Sequence, residues 1–206
     1  MYVEPEIDSS YFINNKGAKI GEPFYRPQIG KLLYDSVMET RPRIIFEFGV
    51  LHGFSTICMA QALRDLSELN QGVMHGKIYA CDVWEHGAYG HGQSMEKTQD
   101  NLNKYGVAEY VELRRGDFHN EIKRMQDNDW SVDFMHIDIN NCGELIPKIL
   151  NLKLQRPCTV LFEGGIKERD ECWWMTEFNR KPITSFERKY ELLSQNYPGL
   201  SKIYLP

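Results

Sequence analysis

The chain has 206 residues, of which 42% are hydrophobic and 26% charged, with a formal net charge of −5. That length and apolar content suit one globular domain with a substantial core and exclude wholesale disorder. The acidic balance removes the electrostatic reason to expect nucleic acid or an anionic membrane as partner, and no apolar run approaches the roughly 20 residues of a membrane-spanning helix.

In chain order, residues 1–26 are turn-rich, as in "INNKGAKIGEPF", and read as an arm ahead of a single domain at 27–206. The opening "MYVEPEIDSS" lacks a basic start and an apolar stretch, so no secretory signal is expected and the location is expected to be cytoplasmic. The five scattered cysteines form no C-x-x-C pair, which fits reduced thiols and argues against a disulfide framework or a zinc site. From Pro27, "PQIGKLLYDSVMET" carries Ile29, Leu32, Leu33 and Val37 at helical spacing. Five short β-branched or aromatic runs follow: "RIIFEF", "GKIYACDV", "YVELRRGD", "SVDFMHID" and "CTVLFEGG". Amphipathic segments at 54–69, 94–105, 118–126 and 143–152 alternate with them, which predicts parallel βαβ units covered on both faces. At the end, "KYELLSQ" and "LSKIYL" flank "NYPG" and read as an antiparallel hairpin.

The predicted strands end on acids: Glu47, Asp82, Asp117, Asp138 and Glu163. Ligands of open α/β sheets bind outside the carboxyl ends of the strands, and a charge there gains nothing from burial unless it is paired. The first strand runs into "FEFGVLHGFST", spaced E-x-G-x-x-x-G rather than G-x-G-x-x-G. Gly49 and Gly53 allow a tight turn and a close backbone approach to a ligand, while Ser55 and Thr56 can satisfy N–H groups at the helix start. An acid in that loop suits an ammonium group rather than a pyrophosphate, and Asp82 at the second strand end suits ribose hydroxyls. An ammonium and a ribose without phosphate describe S-adenosylmethionine.

These residues carry a resemblance. "FEFGVLHGFST" resembles the first motif of class I S-adenosylmethionine-dependent methyltransferases, and "ACDVWEHGAYGHG" is similar to the second-strand segment of bacterial small-molecule O-methyltransferases. "RRGDF", "VDFMHID" and the terminal hairpin resemble later parts of the same pattern. The resemblance implies an α/β, Rossmann-like, doubly wound and mostly parallel seven-stranded sheet, with helices on both faces and a C-terminal antiparallel hairpin. It implies that Glu47 holds the amino-acid end of the cofactor, with Gly49, Gly53 and Ser55 in the same loop, and that Asp82 holds the ribose. Val83 and Trp84 would lie beside the adenine, although Trp84 equally reads as core packing. Asp117 would accept from the adenine amino group with Phe118 against the ring, and Asp117 also reads as a helix N-cap. His52 reads either as a contact to the cofactor carboxylate or as a solvent-facing loop histidine.

For catalysis, the resemblance points to Asp138 at both the cofactor and the acceptor, and to Asp138 and Glu163 as ligands of Mg2+ in metal-dependent relatives. Two departures weaken that reading. Asn141 stands where related sugar methyltransferases have a histidine base, and glycines rather than a second acid follow Glu163. Two carboxylates and the Asn141 amide oxygen remain a conceivable ligand set. His86, Tyr89 and His91 lie in a glycine-rich loop that reads as a lid, with His91 the candidate base. Trp173 and Trp174 read as packing on the sheet or as an aromatic wall for the acceptor.

The implied partner is a small-molecule methyl acceptor, with no nucleic acid and no membrane; a homo-oligomer stays open. The reaction implied is methyl transfer to an oxygen of a small polar metabolite such as a sugar or natural-product intermediate, with a small-molecule nitrogen as the alternative. Two rivals from other classes remain, a nicotinamide-dependent oxidoreductase and a cofactor-binding protein of the same fold without turnover.

Overall fold

The computed structural model describes residues 1–7, 27–84, 94–127, 131–150, 157–186 and 189–205. Five parallel strands form first: β1 (Ile44–Phe48), β2 (Lys77–Asp82), β3 (Val111–Arg115), β4 (Phe134–Ile137) and β5 (Cys158–Glu163). The helices α1 (Pro27–Thr40), α2 (Phe54–Leu69), α3 (Met95–Lys104), α4 (Phe118–Asp127) and α5 (Leu145–Leu150) lie around and between them. Two short helices, α6 (Lys167–Asp170) and α7 (Trp173–Glu177), precede the closing strands β6 (Glu191–Ser194) and β7 (Leu200–Leu205).

The strands make one seven-stranded sheet in the order β3-β2-β1-β4-β5-β7-β6. β1 through β5 pair in parallel, whereas β7 runs antiparallel to β5 and β6 antiparallel to β7. This is the predicted architecture, hairpin included. Every residue of β4 and β5 is buried, as expected of central parallel strands covered on both sides. Ile45, Ile78, Ala80, Phe134 and Leu161 pack with α1 and α2 on one face. Phe46, Phe48, Met135, Ile137, Val160 and Phe162 pack with Met125 of α4 and with α5 on the other.

Residues 1–7 lie on the first face, where Gln61 exchanges hydrogen bonds with the Val3 backbone at 2.7 and 2.8 Å; the rest of the proposed arm lies outside the described residues. All five cysteines are free. Of the two readings for the paired tryptophans, packing on the sheet does not hold for Trp173, which is 57% exposed, while Trp174 is half-buried.

Candidate active site

Strand register assembles the site. Glu47 of β1 lies level with Ala80 of β2 and with His136 of β4, which in turn lies level with Leu161 of β5. Side chains alternate between faces along a strand. Glu47 and His136, with the acids two positions after Ala80, His136 and Leu161 (Asp82, Asp138 and Glu163), therefore share one face at the carboxyl edge of the sheet.

On the β1–β2 side the acids are taken up by the protein itself. Glu47 is fully buried and accepts hydrogen bonds from Ser55 Oγ and Thr56 Oγ1, each at 2.5 Å, while His136 Nδ1 lies 3.0 Å from its Oε1. Ser55 and Thr56 therefore do not cap α2, as the sequence suggested; their hydroxyls lock the helix to the strand end. Asp82 Oδ2 accepts from the backbone N–H groups of Val50 and Leu51 at 2.7 and 2.8 Å, and Oδ1 accepts from Trp84 N at 2.9 Å. Leu51 and Trp84 are both non-glycine residues in the left-handed region, at φ 53° and 39°, a conformation that persists only where surrounding structure holds it. Asp82 supplies that hold.

The glycines also serve the chain's own packing. Gly49 has φ 87°, and a Cβ there would stand 1.8 Å from the Asp138 carbonyl oxygen, so this glycine lets the loop after β1 press on the loop after β4. At Gly53, φ 86°, the nearest neighbour of a Cβ would be Thr98 Cγ2 at 3.1 Å. Both positions bring the backbone close to protein atoms of neighbouring elements.

Trp84 takes the packing alternative. It is fully buried, and Nε1 donates to Leu51 O and Thr98 Oγ1, both at 3.0 Å. Val83 is half-buried beside it. His52 is buried rather than solvent-facing, and its carbonyl accepts from Asn101 Nδ2 at 2.9 Å. Asp117 is exposed and accepts from His119 N at 2.8 Å, the geometry of a cap on α4. Phe118 packs edge-on to Phe48, with ring centroids 6.4 Å apart. His86, Tyr89 and His91, the candidate lid and base, lie outside the described residues.

The β4–β5 side is built differently. Asn141, fully buried, donates from Nδ2 to Ile137 O at 2.8 Å and to Glu163 O at 2.7 Å, tying the two strand ends together. That strut brings Asp138 and Glu163 side by side. Burial raises both carboxyls, Glu163 well above its usual range because the neighbouring Asp138 charge adds to the effect. The contact between the two side chains favours the proton on Glu163 over Asp138. Glu163 Oε2 and His136 Nε2 are both buried without a hydrogen-bond partner among the described residues.

A sequence profile for the family described as "Methyltransferase domain" matches residues 46–154, more than half of the chain and nearly all of the acid-bearing edge. The chain belongs to this family. Similar solved structures include an O-methyltransferase from Streptomyces achromogenes involved in tomaymycin synthesis, in complex with SAM, at 18% identity and TM-score 0.60, covering 91% of this chain and 82% of that one. Another is the O-methyltransferase from Bacillus cereus in complex with SAH, at 18% identity and TM-score 0.60, covering 93% and 87%. A third is an SAH-bound methyltransferase from Podospora anserina, at 17% identity and TM-score 0.59, covering 87% and 78%. At such identities the likeness concerns the fold. No curated protein matches the sequence.

The residues of this methyltransferase do not fit the Mg2+ site considered from the sequence. Asn141 spends its amide nitrogen on two carbonyls, and its Oδ1 accepts weakly from Ile139 N at 3.4 Å, so its side chain is held as a strut between the strand ends. The Arg169 guanidinium lowers the pKa of both Asp138 and Glu163, so a fixed positive charge already acts on that corner without forming an ion pair among the described residues. Among the described residues no three His, Cys, Asp or Glu side chains are grouped to hold a metal ion.

Two residues of the methyltransferase site escaped the sequence reading. His136 sits two positions before Asp138 in a predicted strand, so alternation alone puts it on the acid face; reading "FMHID" as alternating would have found it. Arg169 lies in a four-residue helix after the Gly164-Gly165 turn, and nothing local in the sequence aims it at the site.

Proposed function

We propose that this methyltransferase transfers the methyl group of S-adenosylmethionine to an oxygen of a small polar metabolite. The observation that carries the reading is the Asp138–Glu163 pair: two acids at the carboxyl ends of adjacent central strands, one with a buried oxygen left unpartnered. A cationic ligand suits that donor set, because carboxyls raised by burial and mutual repulsion ionise more readily beside a positive charge. When bound, the cofactor supplies a methyl group on a positively charged sulfur. Glu47, Gly49, Gly53 and Asp82 shape the loop under its amino-acid and ribose ends; Asp117 and Phe118 stand at the adenine end.

Asp138 faces the acceptor. The bound cofactor would supply its methyl group to the acceptor's hydroxyl oxygen, and the Asp138 carboxylate would take the hydroxyl proton. Glu163, holding its own proton, donates a hydrogen bond that steadies Asp138 in the ionised form. Positioning of acceptor oxygen against methyl supplies much of the remaining rate. The five free cysteines support a cytoplasmic setting.

The test is direct. Purified protein should bind S-adenosylhomocysteine in calorimetry and release it from S-adenosylmethionine when offered a panel of hydroxylated metabolites, with EDTA leaving the rate unchanged. Activity abolished by EDTA and restored by Mg2+ would return Asp138 and Glu163 to a metal role. Binding of reduced nicotinamide cofactor instead would point to the oxidoreductase reading.

A further inference from the structure

Arg169 is 6% exposed, yet among the described residues its guanidinium makes no ion pair. Its one hydrogen bond there runs from Nη1 to Cys172 Sγ at 3.3 Å. A guanidinium presents five N–H donors in a rigid fork, so most of this fork has no acceptor. The Trp174 ring lies 4.8 Å below it, a favourable face for the cation but no substitute for an anion. Asp138 and Glu163 keep the group charged against the cost of burial without occupying the fork.

The same corner holds a second open valence. Glu163 is 4% exposed, and its Oε2 has no partner among the described residues. Arg169 passes beside Gly164, the residue after Glu163, where a Cβ would stand 3.7 Å from Arg169 Cγ. Two side chains of opposite type, each more than nine-tenths buried, thus lie near one another without pairing among the described residues. Burying a charge is costly unless it is paired and hydrogen-bonded, so the geometry suits an occupant that satisfies both.

The corner is also firmly built. Asp170, next to Arg169, accepts from Ile183 N at 2.7 Å and Thr184 N at 2.9 Å, which pins α6. The strand order puts β5 and α6 on one side of Asp138, and the loops after β1, β2 and β3, where the cofactor residues lie, on the other.

We propose that Arg169 docks a carboxylate or similar oxyanion of the methyl acceptor while the acceptor's hydroxyl turns toward Asp138 and Glu163, so that the substrate is a small hydroxy acid. This rests on the methyl-transfer reading above. A carboxylate fits the planar fork in a bidentate manner, and its charge neutralises the one cation of the corner that lacks an ion pair among the described residues.

Matched pairs that differ only in the anion test the proposal: 3,4-dihydroxybenzoate with its amide, and glucuronate with glucose. Each is offered with S-adenosylmethionine to the full chain, and release of S-adenosylhomocysteine is followed. At least one acid should be turned over with kcat/KM at least ~10-fold above its neutral partner. Arg169→Gln should erase that preference by raising KM for the acid more than for its neutral partner, and Arg169→Lys should keep a reduced part of it. Equal or reversed preference, no turnover of either acid, or a preference intact in Arg169→Gln would each overturn the proposal. So would a loss of S-adenosylhomocysteine affinity of ~10-fold or more in Arg169→Gln, because the anion would then be the cofactor's own carboxylate. A wild-type chain that fails to bind S-adenosylhomocysteine overturns the methyl-transfer reading as well. Thermal melts show that the variants are folded; if Arg169→Gln does not fold, Arg169→Lys alone carries the comparison.

Discussion

The two halves of the sheet's carboxyl edge use the same residue type in opposite ways. At the β1–β2 ends, Glu47 and Asp82 accept hydrogen bonds from Ser55, Thr56, His136 and three backbone amides. At the β4–β5 ends, burial raises Asp138 and Glu163, Glu163 further because of its neighbour, and Glu163 Oε2 is left without a partner among the described residues. An acid whose lone pairs are filled by its own chain is a strut; one whose lone pairs are open is available to a ligand. A carboxylate at a strand end is therefore an ambiguous signal until its partners are known.

The contrast breaks most visibly at Asp138. Asp138→Asn keeps the shape and removes the base, and turnover should fall by roughly 10²–10⁴-fold while S-adenosylhomocysteine affinity stays within about twofold. Kinetics and calorimetry on the same sample decide it; equal losses in both would place Asp138 with the cofactor rather than the acceptor.

Glu47→Ala attacks the strut side. It strands two hydroxyls and the His136 ring in a buried site, and removing one partner of such a cluster costs about 3–5 kcal/mol. Thermal unfolding should drop by on the order of 10 °C. Unchanged stability with weakened cofactor binding would make Glu47 a ligand after all.

Asp82→Ala should be milder because the group is half-buried. Freeing Leu51 and Trp84 from their left-handed conformations loosens the loop, and S-adenosylhomocysteine affinity should fall by about tenfold, or ~1.4 kcal/mol. Asp82→Asn keeps an acceptor for part of this set and should lose less. Identical affinity in the alanine variant would remove the loop from the cofactor site.

The smallest effect is one of pH. Glu163 stays protonated in the folded protein above the ordinary carboxyl value of 4.5, whereas the unfolded chain releases that proton. The native state therefore binds more protons across that interval, and stability falls as pH rises through it. Glu163→Gln carries no titrating proton and should flatten the slope in melts recorded from acid to neutral pH. A slope unchanged by Glu163→Gln would show that the proton belongs elsewhere.

Most of the fold was legible because it rests on short-range periodicity. Apolar runs of strand length alternating with amphipathic segments specify parallel pairing, and the 54–69 helix and the closing hairpin fall where the pattern put them. The acid row was legible for the same reason, since each strand announces its own end. The hydrogen-bond partners of those acids were not. Ser55 read as a cap and proved to donate to Glu47; Trp84 read two ways and proved to be core.

By itself, then, the sequence determined the strand order's raw material, the positions of the acids and the glycine loop, because each depends on residues only a few places apart. Only the tertiary structure decided which acids are filled and which are open. Glu47 meets His136 across 89 residues of chain, and Asn141 ties its own strand to Glu163 across 22. Arg169 reaches the acid pair from beyond a double-glycine turn with no local pattern to announce it. Such pairings follow from strand register and from the entropy already spent in forming the sheet, so they exist only once the whole sheet does.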